Sequence, residues 1–204
     1  MAEVDEALEL ADWRRRTAEL YLAEPRAGRA GAEAWRAGRD ELLRSHPQSP
    51  VPAAERAAWA GARYWPWAQD AVVTAALEAV GGPAELELDT GGPDGVLRYR
   101  RLGRLATPWG GLTLFWLAAY GGGLFLPFRD ATSGHGSYGG GRYLTDTIKG
   151  SHGRGLVPAA PGRVVLDFNY AYNPSCAYDP AWACPLAPEE NHLGGAVTAG
   201  ERHE

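Results

Sequence analysis

Three groups of residues in this 204-residue chain carry side chains suited to chemistry. The first, PFRDATSGHGSYGGGRYLTD, sets Arg129, Asp130, Tyr138, Arg142, Tyr143 and Asp146 around five glycines. Glycine lets a backbone approach a ligand and present N–H groups, and a guanidinium can grip a carboxylate or phosphate with two parallel bonds. The stretch therefore predicts a polar or anionic ligand site using Arg129 and Arg142, with Tyr143 for orientation. A hairpin loop with an internal Arg–Asp pair fits the same letters. The Gly-Lys-Ser/Thr ending of a phosphate-binding loop is missing, which argues against nucleotide binding.

The second group opens DFNYAYNPSCAYDPAWACPL, where Asp167, Asn169 and Asn173 follow a strand-like run. One reading is a pocket in which Asp167 acts as acid or base and Asn169 and Asn173 donate hydrogen bonds to a ligand. The other is that these side chains satisfy backbone groups that regular structure leaves unpaired. The third group is the two cysteines, Cys176 and Cys184, with His192 further on. Their spacing is wider than structural zinc sites use, so no metal ligand is assigned. A disulfide, a reactive thiolate and plain apolar packing stay open, and packing is the default for reduced thiols. No nucleophile elbow, metalloprotease helix or dinucleotide fingerprint is present, and no cofactor is named.

The elements that must position these groups divide the chain into a helical segment at 1–50 and a β-rich part at 51–204, expected to form one structural unit. Residues 4–22 repeat Leu8, Trp13, Leu20 and Tyr21 near helical spacing among paired Glu and Arg. A second helix is expected over 30–44, ending at SHPQSPVP, and a short helical turn over 53–59. AVVTAALEAV is read as a strand for its β-branched residues, and ELELDTGGPDGVLRYRRLG as a hairpin. LTLFWLAAY, LFLPF, VVLDF and GAVTAG complete a strand series. The fold expected is α+β: N-terminal helices packed on an antiparallel, barrel-like or strongly curved sheet.

Hydrophobic residues make up 45% of the chain and charged residues 22%, enough apolar matter for a packed core. The formal net charge of -5 opposes a nucleic-acid partner, which calls for a clustered basic surface. No run reaches the roughly 18 apolar residues that a membrane span needs. The opening residues lack a basic leader before an apolar core. These features predict a soluble cytoplasmic protein with no membrane partner, and they leave its oligomeric state open.

LFLPFRDATSGHGSYGGGRYL, then VVLDFNYAYNPSCAYDPAWACPLAPEENHL and a closing AGE, resemble a bacterial and archaeal family known only as domain of unknown function 1684. The likeness is specific from about residue 124 to 201 and looser toward the N-terminus. It implies Arg129, Asp130, Gly140, Arg142, Tyr143, Asp167, Asn169, Tyr172, Asn173, Cys176, Cys184, Glu190, Asn191 and Glu201 as motif residues. Among them Tyr172, Cys176, Cys184, Glu190 and Asn191 are assigned structural roles. It implies no activity. Two departures stand out: His192 replaces the family's arginine, and Thr145 follows Leu144 where the pattern has aspartate. The functional expectation is a small-molecule site, with catalysis through Asp167 as its stronger form. A non-catalytic scaffold or interaction module, or a cysteine-based metalloprotein, is the alternative.

Overall fold

The computed structural model describes residues 2–22, 28–82, 84–90, 92 and 95–203. Two helices, α1 (Ala2–Leu22) and α2 (Gly28–Ser45), precede eight strands. The strands are β1 (Val72–Glu78), β2 (Glu85–Asp89), β3 (Val96–Thr107), β4 (Gly110–Leu117), β5 (Gly123–Phe128), β6 (Arg142–Asp146), β7 (Leu156–Ala160) and β8 (Arg163–Asp167). They form one sheet in the order β6-β5-β4-β3-β1-β8-β7, with β2 pairing β3 off this path. Every ladder is antiparallel. The α+β class with a curled, half-barrel sheet is thus as expected. Register shifts at Arg101/Gly103, Leu126/Pro127 and Pro158/Ala160 add local twist, which bends strands.

The curl has a packing reason. Leu112 and Leu114 of β4, Leu126 and Phe128 of β5, Leu144 of β6 and Leu166 of β8 bury into one core, joined by Phe168 and Val197. Period-2 alternation sends Phe115, Phe125 and Tyr143 into a second cluster with Tyr99. Both faces of β5 and β6 are therefore covered, and all five residues of β6 are buried. Each fully buried Leu or Phe contributes about 1.5–3 kcal/mol of burial free energy.

The helices attach through aromatic contacts. On α2, Ala32, Trp35, Leu42 and Leu43 are buried on one helical face, Trp35 three residues after Ala32 and Leu42 and Leu43 seven and eight after Trp35. Trp35 meets Tyr21, Tyr64 and Tyr170 edge-on at 5.6, 6.0 and 5.2 Å between ring centroids. After α2, Arg56 donates to the carbonyls of His46, Pro47, Ser49 and Val51, holding residues 46–56 in turns. Those turns replace the helical turn expected at 53–59. No helix among the described residues is long and apolar enough to cross a membrane.

α1 touches the sheet where Gly150 ends the short turn after β6. Gly150 has φ +88°, and a Cβ there would stand 2.8 Å from the carbonyl oxygen of Arg14 and 3.0 Å from the amide of Ala18. Gly150→Ala should therefore cost about 1–3 kcal/mol through a strained backbone. Hydrogen exchange is expected to show α1 losing protection before β4; equal loss in both would show that this contact does not hold the helix.

GAVTAG is not a strand. Its alternation is real, since Val197 and Ala199 are buried. Their carbonyls, however, accept from the Arg142 side chain rather than from a neighbouring strand. RYLTD and LVPAA, by contrast, form β6 and β7 at the two sheet edges, where Pro158 of β7 is tolerated. Gly91, Pro93 and Asp94 of the expected hairpin turn lie outside the described residues, but the flanking β2 and β3 pair from Glu85↔Arg100 to Asp89↔Val96.

Candidate functional site

Arg142, expected to grip an anion, grips the protein. It is 1% exposed. Nη2 donates to Asp130 Oδ2 at 2.6 Å and to the Val197 carbonyl at 2.8 Å. Nη1 donates to the carbonyls of Ala199 at 2.5 Å and Glu201 at 3.2 Å. The guanidinium carbon lies 4.9 Å from the Trp65 ring centre and 5.0 Å from that of Phe128. Burial lowers its pKa, and the Asp130 charge opposes that shift. Asp130 Oδ1 meanwhile accepts the Thr132 amide at 2.6 Å, so the glycine-rich loop closes on itself. Arg129 is half-buried beside it, and its backbone joins Asn191 and Leu193 at 3.0 and 2.8 Å.

Asp167 and Asn169 form a separate brace. Asp167 ends β8 and caps a 3-10 turn: its Oδ1 accepts the Asn169 amide at 3.0 Å and Asn169 Nδ2 at 2.8 Å. The Asn169 carboxamide pairs with both backbone groups of Ala68 at 2.9 Å, as a strand neighbour would. Burial raises the Asp167 pKa, the Asn169 bonds oppose it, and Arg36 opposes it from a distance. Asp167, the predicted acid or base, thus spends its carboxylate on this turn.

Three predicted residues do converge on a cavity. It measures about 60 Å³ and lies between α1, α2 and the sheet. Tyr143, Tyr172 and Asn173 line it, together with Thr17 of α1, Arg39 of α2, and Lys149 and Ser151 of the turn after β6. Tyr143 and Tyr172 exchange backbone bonds at 2.9 and 3.0 Å, which fixes their side chains relative to one another. The Tyr172 hydroxyl meets Ser151 Oγ at 2.5 Å, and the Tyr143 hydroxyl donates to the Pro185 carbonyl at 2.6 Å. Burial holds both phenols well above their usual pKa, so they are neutral donors.

Arg39 anchors the far wall. Its Nη2 pairs with Glu201 Oε2 at 3.0 Å, and it donates to the hydroxyls of Tyr64 and Tyr178 at 3.1 Å each. Glu201 also accepts from the Asn173 amide at 2.8 Å and from the Tyr178 hydroxyl. Asn173 Nδ2 donates to the Arg202 carbonyl at 2.9 Å, which leaves its Oδ1 free. Two of the lining residues carry a buried oxygen with no partner among the described residues, Thr17 Oγ1 and Asn173 Oδ1.

Arg129, Arg142, Asp167 and Asn169 do not line this cavity, whereas Thr17, Arg39, Lys149 and Ser151 do and were missed. Arg39 left one signal, its place four residues after Trp35 on the buried stripe of α2.

The residues assigned structural roles are placed as follows. Arg101 Nη2 donates to Glu190 Oε1 at 2.7 Å, and the Thr113 hydroxyl donates to Glu190 Oε2 at 2.8 Å. Asn191 bonds the backbone of Thr113 and Pro127. Cys176 and Cys184 are both free thiols. Among the described residues no three His, Cys, Asp or Glu side chains gather as metal ligands.

Comparison with known proteins adds a relationship without an activity. The chain is similar to an uncharacterised protein from gene locus rrnAC0354 of Haloarcula marismortui, whose structure was solved by solution NMR. The two share 35% identity over 85% of this chain and 92% of that one, with a TM-score of 0.57. No curated protein matches. The model for a protein of unknown function, DUF1684, matches residues 57–202, from the turns after α2 to the C-terminal tail that holds Arg142 and Arg39. This chain belongs to the DUF1684 family.

Proposed function

We propose that this protein binds a small polar molecule in the cavity beneath its two N-terminal helices. The observation that carries this reading is that two residues lining the cavity, Thr17 and Asn173, each hold a buried side-chain oxygen without a partner among the described residues. A buried polar atom left unpaired costs about 1–3 kcal/mol, so a donor from a ligand gains more there than in water. Lys149 supplies a positive charge on the same wall, where the Asp146 carboxylate interacts with it electrostatically. The ligand class that fits is a small anion, such as a carboxylic acid, that also bears a hydroxyl or amino group. Its size is limited to a few heavy atoms, since one water needs about 10–15 Å³ of such space.

Binding rather than catalysis is the reading favoured here, because Asp167 lies outside the cavity and is bonded to Asn169. The net charge of -5 supports a partner other than nucleic acid. The two free thiols support a reducing, cytoplasmic setting.

Thermal unfolding against millimolar glycine, lactate, glycerate and serine tests the proposal. A ligand at about 100 times its Kd adds about 2.7 kcal/mol, roughly 5–10 °C for a chain of this size. Thr17→Val is the informative variant. It replaces an unpaired hydroxyl by a methyl group, so the unliganded protein should melt at the same or a higher temperature while the ligand-dependent shift shrinks. Lys149→Ala should weaken the acids and spare neutral analogues. The proposal fails if no compound shifts the wild type, or if the shift survives both changes.

A further inference from the structure

The tail that supplies Glu201 also sets two arginines side by side on the surface. Tyr64 and Glu201 form an antiparallel bridge: the Trp65 amide donates to the Gly200 carbonyl at 3.0 Å and the Arg202 amide to the Arg63 carbonyl at 2.7 Å. Arg63 therefore stands directly opposite Arg202, and side chains so paired project to one side with Cβ atoms about 4.5–5.5 Å apart. Alternation turns Tyr64 and Glu201 inward to Arg39 and leaves both arginines exposed. Arg202 lies over the Trp65 ring at 5.6 Å, and neither guanidinium has an ion pair or hydrogen bond among the described residues. Like charges placed directly opposite destabilise an extended pair. The exposed Arg15, Arg44 and Arg98 are each offset by a carboxylate, whereas Arg63 and Arg202 have none among the described residues.

The two arginines line a groove of about 410 Å³, far roomier than the cavity under the helices. Trp59 and Ala177 give it apolar surface. Its backbone is tied to the interior on both sides: the Ala62 amide donates to Asp40 Oδ1 at 3.1 Å, and the Arg202 carbonyl accepts from Asn173 Nδ2 at 2.9 Å. The His203 amide bonds the Gly136 carbonyl at 3.0 Å and its ring packs edge-on to Tyr138 at 5.2 Å, which fixes the end of the tail. Glu201 is the carboxylate among the lining residues, but it is 1% exposed and already bonded to Arg39 and Tyr178. The charge this groove offers to solvent is therefore positive, on a chain whose net charge is -5.

We propose that this groove binds a phosphate monoester with an aromatic organic part, its phosphate held by Arg63 and Arg202 and its ring lying along Trp59. Two guanidiniums match a phosphate ester, which carries about -1.5 to -2 at pH 7, better than the single charge of a carboxylate. Each guanidinium can donate two parallel bonds to phosphate oxygens, and the bound anion also removes the repulsion between the arginines. The indole supplies a flat apolar surface against which an aromatic ring packs. A volume of this order suits a ligand larger than free phosphate.

The site stands independently of the cavity ligand. Asn173 and Tyr178 line both spaces, but Thr17 and Lys149 line only the cavity, and Arg63 and Arg202 only the groove. Calorimetric titration of the wild type with phenyl phosphate, inorganic phosphate and phenol should show the ester binding most tightly and phenol not at all. Arg63→Ala and Arg202→Ala should each weaken phenyl phosphate about tenfold or more, the effect of losing a charge-assisted hydrogen bond. Without ligand, Arg63→Ala should melt no lower than the wild type, because it relieves a repulsion. Trp59→Ala should weaken phenyl phosphate and spare inorganic phosphate, and Lys149→Ala should leave both unchanged. The proposal is overturned if the wild type gives no binding heat with phenyl phosphate. It is also overturned if Arg163→Ala, at an exposed arginine that starts β8, weakens binding as much as Arg63→Ala, since the attraction is then diffuse. Loss in Lys149→Ala with full binding in Arg63→Ala would place the phosphate in the cavity and overturn it as well.

Discussion

Replacing Arg142 by alanine is expected to lower the stability by about 3–5 kcal/mol, the usual cost of leaving a buried charge without its partner. Domains of this kind hold only about 5–15 kcal/mol in total, so the variant should be partly unfolded at room temperature or only slightly stable in urea. The expectation follows from what the guanidinium serves. Asp130 Oδ2 would have no cation beside it, and the carbonyls of Val197, Ala199 and Glu201 would lose their donor together. Arg142→Lys should recover part of the loss, since an ammonium restores the charge but lacks the planar fork that reaches several acceptors at once. A double-mutant cycle with Asp130→Asn isolates the pair. Removing both charges should cost less than the sum of the single changes by more than the ~0.5 kcal/mol within which independent sites add. Additive losses would show that Asp130 and Arg142 do not depend on each other, and the account of the loop closure would fall with them.

That inward role explains why part of the molecule was legible in the sequence and part was not. The curled sheet was legible because alternation within β2 and β3 carries the side-chain period of a half-buried strand, and the short apolar runs of β4 and β5 read as buried strands. β6 was not, because all five of its residues are buried and both of its ends, Arg142 and Asp146, are polar. The same fact misdirected the site. Three of the Arg142 acceptors are backbone carbonyls, 55 to 59 residues away. A carbonyl has no side-chain signature, so an arginine among glycines reads as ligand-facing when its real partners are any extended segment that passes by. GAVTAG is that segment, and its alternation imitated a strand because Val197 and Ala199 face inward.

The cavity shows the opposite balance. Tyr143, Tyr172 and Asn173 were marked from the sequence, and antiparallel backbone pairing of Tyr143 with Tyr172 brings them to one place. Thr17, Lys149 and Ser151 sit in ordinary local contexts, a surface helix and a short turn. Only the docking of α1 over Gly150 gives them a common space. Residues that become neighbours through helix docking leave no spacing pattern to read.

Asn191→Ala should be the second most damaging change, at about 3–5 kcal/mol, because this one side chain replaces a missing piece of the sheet. β4 and β5 pair from Leu117↔Gly123 to Phe115↔Phe125. Two residues further along each strand, Thr113 would face Pro127, which has no N–H to give. The Asn191 carboxamide enters that gap. Its Oδ1 accepts the Thr113 amide at 2.7 Å, and its Nδ2 donates to the carbonyls of Thr113 at 3.0 Å and Pro127 at 2.7 Å. The fully buried alanine variant would leave three backbone groups unpaired, each costing about 1–3 kcal/mol before the structure relaxes or admits water. Asn191→Asp provides a check with a defined sign. It keeps the acceptor, loses the donors and buries a carboxylate, whose pKa burial would raise above its unfolded value. The folded state then binds the proton more tightly, so this variant should regain stability relative to wild type as pH falls toward the ordinary carboxylate range. Urea midpoints across pH measure the sign, and exchange at the Thr113 amide measures the cause. If that amide stays as protected in Asn191→Ala as in wild type, the wedge is not what joins β4 to β5.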